Sequence, residues 1–483
     1  MELVSARLQQ TQLRALAARG VQVPAYDRER VATGVVHFGP GAFHRAHQAC
    51  YLDAALAADP RWGITEVSLH SAGVRDALSP QDGLYTLAIR DEHSHTRIIG
   101  AIGELLVSPE APAIVTDRLA DPRVALITST VTEKGYCLRA DGSLDWANHE
   151  IAHDLAHPDA PRTLIGHLCS GLARRRALRI APPNVVSCDN LSDNGPRLRR
   201  AVVEFAQRRD ADLARWIEGE VPFPRTMVDS ITPATDDRLR ADVAGQLGVS
   251  DAWPIQREAF SQWVVEDCMR GPQPDWSALD VTISPDVAGY ERAKLRLLNG
   301  AHSSLAYLGL IAGHETVVQA MRDPAIAALV RQLMIEDITP AVIAPRGLDV
   351  PEYVESILRR FRNPALSYQL AQIAGDGSQK LPFRLLGTVV DAVAARRPLE
   401  RLCLPIAAWF HFVRRKARSG ERLNDPLAAQ LLAIGTACTG DAEHDVNAFL
   451  ALTVFPQELR ESASFVAALT RAYAEVVARL TQM

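Results

Sequence analysis

The first half of the chain alternates two hydrophobic textures. VATGVVHFG (31–39), ITEVSLH (64–70), VALITSTV (124–131) and NVVSCDN (184–190) are short, apolar, β-branched runs closed by turn residues. That is the pattern of strands buried on both faces of a parallel sheet. Between them lie helical stretches such as HQACYLDAALAAD and TLIGHLCSGLARRRALR. Strand and helix in alternation predict an α/β, doubly wound, Rossmann-like domain. After about residue 285 the texture changes to long amphipathic runs, among them AKLRLLNGAHSSLAYLGLIAG and ESASFVAALTRAYAEVVARL, which predict a mostly α-helical second domain. The expected division is 1–285 and 286–483, with the boundary blurred because 271–290 mixes prolines with strand-like residues.

Composition narrows the function classes. The chain has 483 residues, 47% hydrophobic and 23% charged, which excludes disorder and fibrous repeats. Lysine and arginine number 52 against 57 aspartates and glutamates, a net charge of -5, so the basic footprint of a nucleic-acid binder is missing. No apolar run approaches the ~20 residues that span a bilayer, and the start, MELVSARLQQTQLRAL, lacks a secretory hydrophobic core, so a soluble cytoplasmic chain with no membrane partner is expected. The seven cysteines are scattered and form no C-x-x-C pair, which argues against disulfides and a structural zinc.

Candidate chemistry gathers at a few places. HFGPGAFHRAHQ (37–48) carries a strand into Gly39-x-Gly41 and then a helix, where glycine lets backbone N–H groups approach a pyrophosphate. The third fingerprint position is His44, and a plain glycine turn without ligand is the alternative reading. The acidic residue that would bind the ribose 2′-hydroxyl should close the second strand, but that end reads Leu69-His70-Ser71-Ala72-Gly73. Glu66 lies inside the strand, and Arg75 is placed to meet a 2′-phosphate, so NAD is expected with NADP not excluded.

Tyr290 to His302 forms a second constellation. At about 100° per residue, Glu291, His302 and Asn299 fall about 60°, 80° and 140° from Lys294 on a helical wheel, so these polar groups can face one cleft. A desolvated lysine serves as a general base without a metal, whereas the bland alternative is an exposed helix lysine and a core histidine. Asn190 closes the strand ending Ser187-Cys188-Asp189 and is a candidate donor to a developing alkoxide. His149, His153 and His157 recur at helical spacing, but the stretch reads as a solvated helix, and no metal is expected.

These motifs together resemble the polyol-specific long-chain dehydrogenase/reductase family, which includes mannitol 2-dehydrogenases and fructuronate reductases (mannonate oxidoreductases). The resemblance spans nearly the whole chain through GxGxFHRxHQ (39–48), TVTEKGYC (130–137), SCDNLxxNG (187–195), MVDxITPAT (227–235), QWVxED (262–267), KLRLLNGxHSxLAYLG (294–309) and DGSQKLPxRLL (376–386). It implies zinc-independent oxidation of a secondary alcohol by a nicotinamide cofactor held in a cleft between the two domains. It further implies Lys294 as base, Asn190 and Asn299 as an oxyanion pair, and Glu291 as proton relay. His302 and Lys380 are then substrate-hydroxyl contacts and Asp229 a substrate-site carboxylate. For the cofactor it points to Gly39, Gly41, Phe43, His44, Arg45, Thr132, Glu133 and Asn190.

The chain departs from the family pattern at Ser230, at Arg257-Glu258-Ala259, and in lacking the acidic cofactor selector. Glu133-Lys134-Gly135, the DGSQK motif and Gln372 resemble the fructuronate reductases more than the mannitol enzymes. A hexonate carboxylate needs a cationic partner, for which Lys134, Lys380 and Arg384 are candidates. D-mannonate/D-fructuronate interconversion is therefore expected, with D-mannitol/D-fructose or a pentitol second. A non-catalytic dinucleotide-binding protein is the alternative of another class. A monomer is favoured over a dimer.

Overall fold

The computed structural model describes residues 6–366 and 368–481. Its internal contacts divide the chain into two compact units, Met1–Ala288 and Gly289–Met483.

Among the described residues the first unit holds eleven strands: β1 Thr33–Phe38, β2 Gly63–Ser68, β3 Tyr85–Arg90, β4 His95–Ile99, β5 Ile102–Val107, β6 Leu126–Ser129, β7 Asn184–Ser187, β8 Thr226–Asp229, β9 Ile255–Glu258, β10 Gln262–Glu266 and β11 Thr282–Ser284. Five form a parallel sheet in the order β5-β2-β1-β6-β7. This is the doubly wound arrangement expected, with the order reversing at β1, where such sheets bind ligands beyond the carboxyl ends of their strands.

Alternate residues explain why these strands read as mostly apolar runs. Val36, Phe38, Val67, Ile127 and Val185 pack into one core with Leu168 and Leu172 of the Leu164–Ala177 helix. Their neighbours Val35, Ile64, Leu126 and Val186 pack into a second core with Leu52 and Trp62. Both sheet faces are dry, and each fully buried Val, Leu or Ile contributes about 1.5–3 kcal/mol.

The strand at the sheet edge was not among those expected. β5 is interrupted by Gly103 and the half-exposed Glu104, which accepts from Arg118 Nε at 2.7 Å and Thr65 Oγ1 at 3.0 Å. An edge strand faces solvent on one side and loses the apolar signature. Two three-stranded sheets, β4-β3-β9 and β11-β10-β8, were also not foreseen. The strand-like residues near 282 belong to the second of these rather than to the main sheet.

Within the described residues the second unit is helical. Its longest helix, Glu400–Ser419, buries Leu402, Ile406, Trp409, Phe410 and Val413. Phe410 stacks on Phe449 with ring centroids 4.2 Å apart and meets Tyr473 edge-on. Three segments are π-helical: Lys294–Asn299, Leu333–Ile338 and Pro382–Leu386. No helix among the described residues is long and apolar enough to cross a membrane.

Candidate active site

The first unit carries a cavity of about 490 Å3 lined by residues that follow β1 (Gly39, Pro40, Gly41), β2 (Leu69, His70, Ser71) and β6 (Thr130, Val131, Thr132, Lys134). Gly39 adopts φ +97°, and a Cβ there would stand 2.2 Å from the Thr130 carbonyl oxygen. Only glycine supplies that conformation and that close approach, which fits a turn shaped for a dinucleotide's phosphates.

A polar spine lies beneath this turn. His37 contacts Thr128 Oγ1 through Nδ1 at 2.7 Å, and its Nε2 reaches Gly39 O at 3.1 Å and Thr130 Oγ1 at 3.0 Å. His44 stacks on His37 at 3.3 Å, and its Nε2 approaches Glu66 Oε1 at 2.7 Å. Burial pushes both histidines down to about 3 and Glu66 up to about 7, disfavouring the charged form of each.

His44 and Arg45, expected among the cofactor contacts, lie beneath the turn and outside the cavity lining. Both are fully buried, and Arg45 donates from Nε to Pro40 O at 3.2 Å and from Nη1 to Trp253 O at 3.0 Å. Arg45 thereby braces the turn from inside. Phe43 packs against His47 at 5.1 Å and is not part of the cavity lining, nor is Glu133. Lys134, expected at the substrate, lies on the cavity wall.

His37, His44 and Glu66 are the one grouping of three potential metal ligands among the described residues. His37 has both ring nitrogens engaged, and its ring lies nearly parallel to that of His44, so their in-plane lone pairs do not converge on one point. The spaced histidines expected to be solvent-facing make local contacts: His153 stacks on His157 at 4.5 Å and lies 3.2 Å from Asp154 Oδ1.

Asn190 sits just beyond β7, and its neighbour Asp189 organises the loop after β6. The Asp189 carboxylate accepts from Val131 N at 3.0 Å, Thr132 N at 2.8 Å and Tyr136 OH at 2.5 Å. Thr132 is held at φ +66°, costly for a β-branched residue, and such strain persists only where surroundings impose it. Asp229 ends β8, buried, opposite Gln262 of β10. Ser230 Oγ donates to Phe260 O at 3.0 Å, and Glu258 Oε1 accepts from Ile231 N at 2.8 Å.

In the second unit Lys294 is 8% exposed and opens the π-helical segment that ends at Asn299. This changes the wheel drawn from sequence: hydrogen bonds spanning five residues widen the turn, so the α-helical angles between Lys294, Asn299 and His302 do not hold. Such π segments recur at functional sites because the inserted residue re-aims side chains. Glu291 lies one turn earlier and is half-buried. His302 stacks on Phe361 at 5.4 Å.

A second polar stretch packs against this one. Arg384 Nη1 donates to Ser303 Oγ at 3.0 Å, and a Cβ at Gly300 would stand 2.8 Å from Arg384 O. Lys380 Nζ donates to Gly375 O at 2.7 Å, and burial lowers the pKa of both Lys380 and Arg384. The Asp-Gly of DGSQK follows from backbone needs. Asp376 is left-handed at φ +56°, Ser378 N is tied to Asp425 Oδ2 at 2.8 Å, and a Cβ at Gly377 would strike Trp409 and Tyr307 at 2.6 Å.

Sequence reasoning did not single out Asn148, Glu150, Arg162 and Thr163 on the cavity wall. Asp154 fixes two of these, accepting from Arg162 N at 2.8 Å and Thr163 Oγ1 at 2.7 Å. Nothing local in that stretch marks it as a wall, because only the packing of the 164–177 helix brings it there. Asp189 stood within the SCDN motif and could have been found.

Comparison with known proteins gives matches over the whole architecture. The family model described as the mannitol dehydrogenase Rossmann domain matches residues 33–278, and that of the mannitol dehydrogenase C-terminal domain matches 286–477. The chain is 39% identical to D-mannonate oxidoreductase of Escherichia coli over 467 residues, covering 94% of this chain and 96% of the relative. It is 37% identical to mannitol 2-dehydrogenase of Phaeosphaeria nodorum, covering 94% and 81%. Among solved structures it is similar to the Pseudomonas fluorescens mannitol 2-dehydrogenase ternary complex with NAD and D-mannitol, at 35% identity, TM-score 0.81 and 99% coverage of each chain.

Proposed function

Because the chain belongs to the mannitol dehydrogenase family, an oxidoreductase family acting on hydroxyl groups, we propose that it interconverts D-mannonate and D-fructuronate with NAD. The observation that carries the chemistry is the burial of Lys294 at the head of a π-helical segment that also holds Asn299, three residues before His302. In this reading the neutral Lys294 amine takes the proton of the substrate's secondary hydroxyl. The Asn190 and Asn299 side-chain amides donate to the same oxygen as it becomes an alkoxide, which drives hydride from its carbon. A nicotinamide cofactor held at the Gly39–Gly41 turn would supply the hydride acceptor. Glu291 passes the proton from Lys294 toward solvent, while His302, Lys380 and Asp229 hold the remaining hydroxyls. No metal is assigned a role.

Support for a hexonate comes from two half-buried cations, Lys380 and Arg384, four residues apart on adjoining helical segments. Partly desolvated cations suit a carboxylate better than a neutral polyol end. D-mannitol is the second reading, favoured by the likeness to the mannitol complex. NAD is preferred over NADP because Arg75, the candidate partner for a 2′-phosphate, is already engaged by Asp76 and Glu110. The seven free cysteines agree with the reducing cytoplasm, where this chemistry belongs.

The test is steady-state kcat/KM for D-mannonate, D-mannitol and D-arabinitol with each cofactor. Mannonate should lead; mannitol ahead by orders of magnitude would replace it, and turnover of none would return the chain to a binding role.

A further inference from the structure

The carboxyl end of β2, where a carboxylate would normally select the ribose 2′-hydroxyl, presents Ser68, Leu69, His70 and Ser71 to the cavity, and none is acidic. The lip is nevertheless not uncharged. β2 and β5 are parallel neighbours, and their ends are joined where Ser108 N donates to Ser68 O at 2.8 Å. The two segments that leave this end of the sheet bring opposite charges together. Arg75 lies in the Gly73–Leu78 helix, directly after Val74 on the cavity wall, and Glu110 follows β5.

All three guanidinium nitrogens of Arg75 are occupied. Nε and Nη2 donate to Asp76 Oδ1 at 2.9 and 2.8 Å, and Nη1 donates to Glu110. Counted together, one cation and two carboxylates leave this corner with a net negative charge. A 2′-phosphate, doubly negative near neutral pH, would meet an arginine with three of its five N–H donors already engaged, and two carboxylates of like sign.

Resting on the reading of an NAD-dependent enzyme, we propose that Asp76 and Glu110 mask Arg75 and that this mask, not a carboxylate on β2, discriminates against NADP. A free 2′-hydroxyl needs neither the arginine nor the removal of its partners. A phosphate would have to compete with both partners for Arg75 and sit beside their like charges, so it gains less than an unpaired guanidinium would give it.

The test is equilibrium binding of NAD and of NADP to the full chain by protein fluorescence, with no sugar substrate present. Wild type should bind NAD at least about tenfold more tightly than NADP. Asp76→Asn together with Glu110→Gln should tighten NADP by about tenfold while NAD moves less than about threefold. Adding Arg75→Ala to that pair should abolish the gain, which shows that the unmasked arginine was responsible. Unchanged NADP affinity in the paired variant overturns the mask, as does a wild type that prefers NADP. Binding of neither cofactor overturns instead the dinucleotide reading on which the proposal rests.

Discussion

His44 Nε2 lies 2.7 Å from Glu66 Oε1, and neither side chain reaches solvent. Desolvation raises the carboxyl from an ordinary 4.5 to about 7, which makes the folded chain the stronger proton binder at this site. The stabilisation tied to that proton is complete below pH 4.5 and is lost as pH rises toward 7. Glu66→Gln keeps the size and the neutral state without a proton to lose. Its melting temperature should therefore gain on wild type between pH 4.5 and 7, by an amount worth on the order of 3 kcal/mol at the upper end. Calorimetry across that range decides it; a difference independent of pH means Glu66 is already ionised in the fold.

Gly39→Ala introduces a methyl group where the backbone oxygen of Thr130 stands 2.2 Å away, in a left-handed conformation. The turn must shift, so NAD affinity should weaken at least tenfold while the helical unit, which has no part in the turn, melts as before. An unchanged dissociation constant would show that the ligand does not approach Gly39.

Lys294→Ala should lower turnover by at least about 10² with NAD affinity nearly unchanged. Exogenous small amines should restore part of the rate, because they can reach the vacated position and take the proton. A chelator should leave the wild-type rate untouched. Full activity in the alanine variant removes lysine from the mechanism.

Arg384→Gln separates the two substrate readings. If the guanidinium pairs with a hexonate carboxylate, kcat/KM for D-mannonate should fall at least tenfold more than that for D-mannitol. Equal losses would limit Arg384 to its contact with Ser303.

Four of the five strands of the parallel sheet are legible in the sequence, because burial on both faces demands consecutive apolar residues such as Val35-Val36 and Leu126-Ile127. The helical second half was legible from its amphipathic period, and the family from long motifs in order. These are local properties, set by which faces must be dry.

Tertiary structure decided the rest. β8, β9 and β11 are three or four residues long and exist only because distant partners complete their hydrogen bonds. His44 and Arg45 are fully buried, with His44 Nε2 against the Glu66 carboxylate on β2 and Arg45 donating to the carbonyls of Pro40 and Trp253, and only the tertiary packing places them there. The π-helical turn that holds Lys294 and Asn299 has no local signature, since its extra residue is accommodated by packing against the 382–386 segment. Sequence thus determined which residues are available for chemistry. Where each one points was left to contacts between segments far apart in the chain, because a polar group settles wherever its hydrogen bonds can be completed.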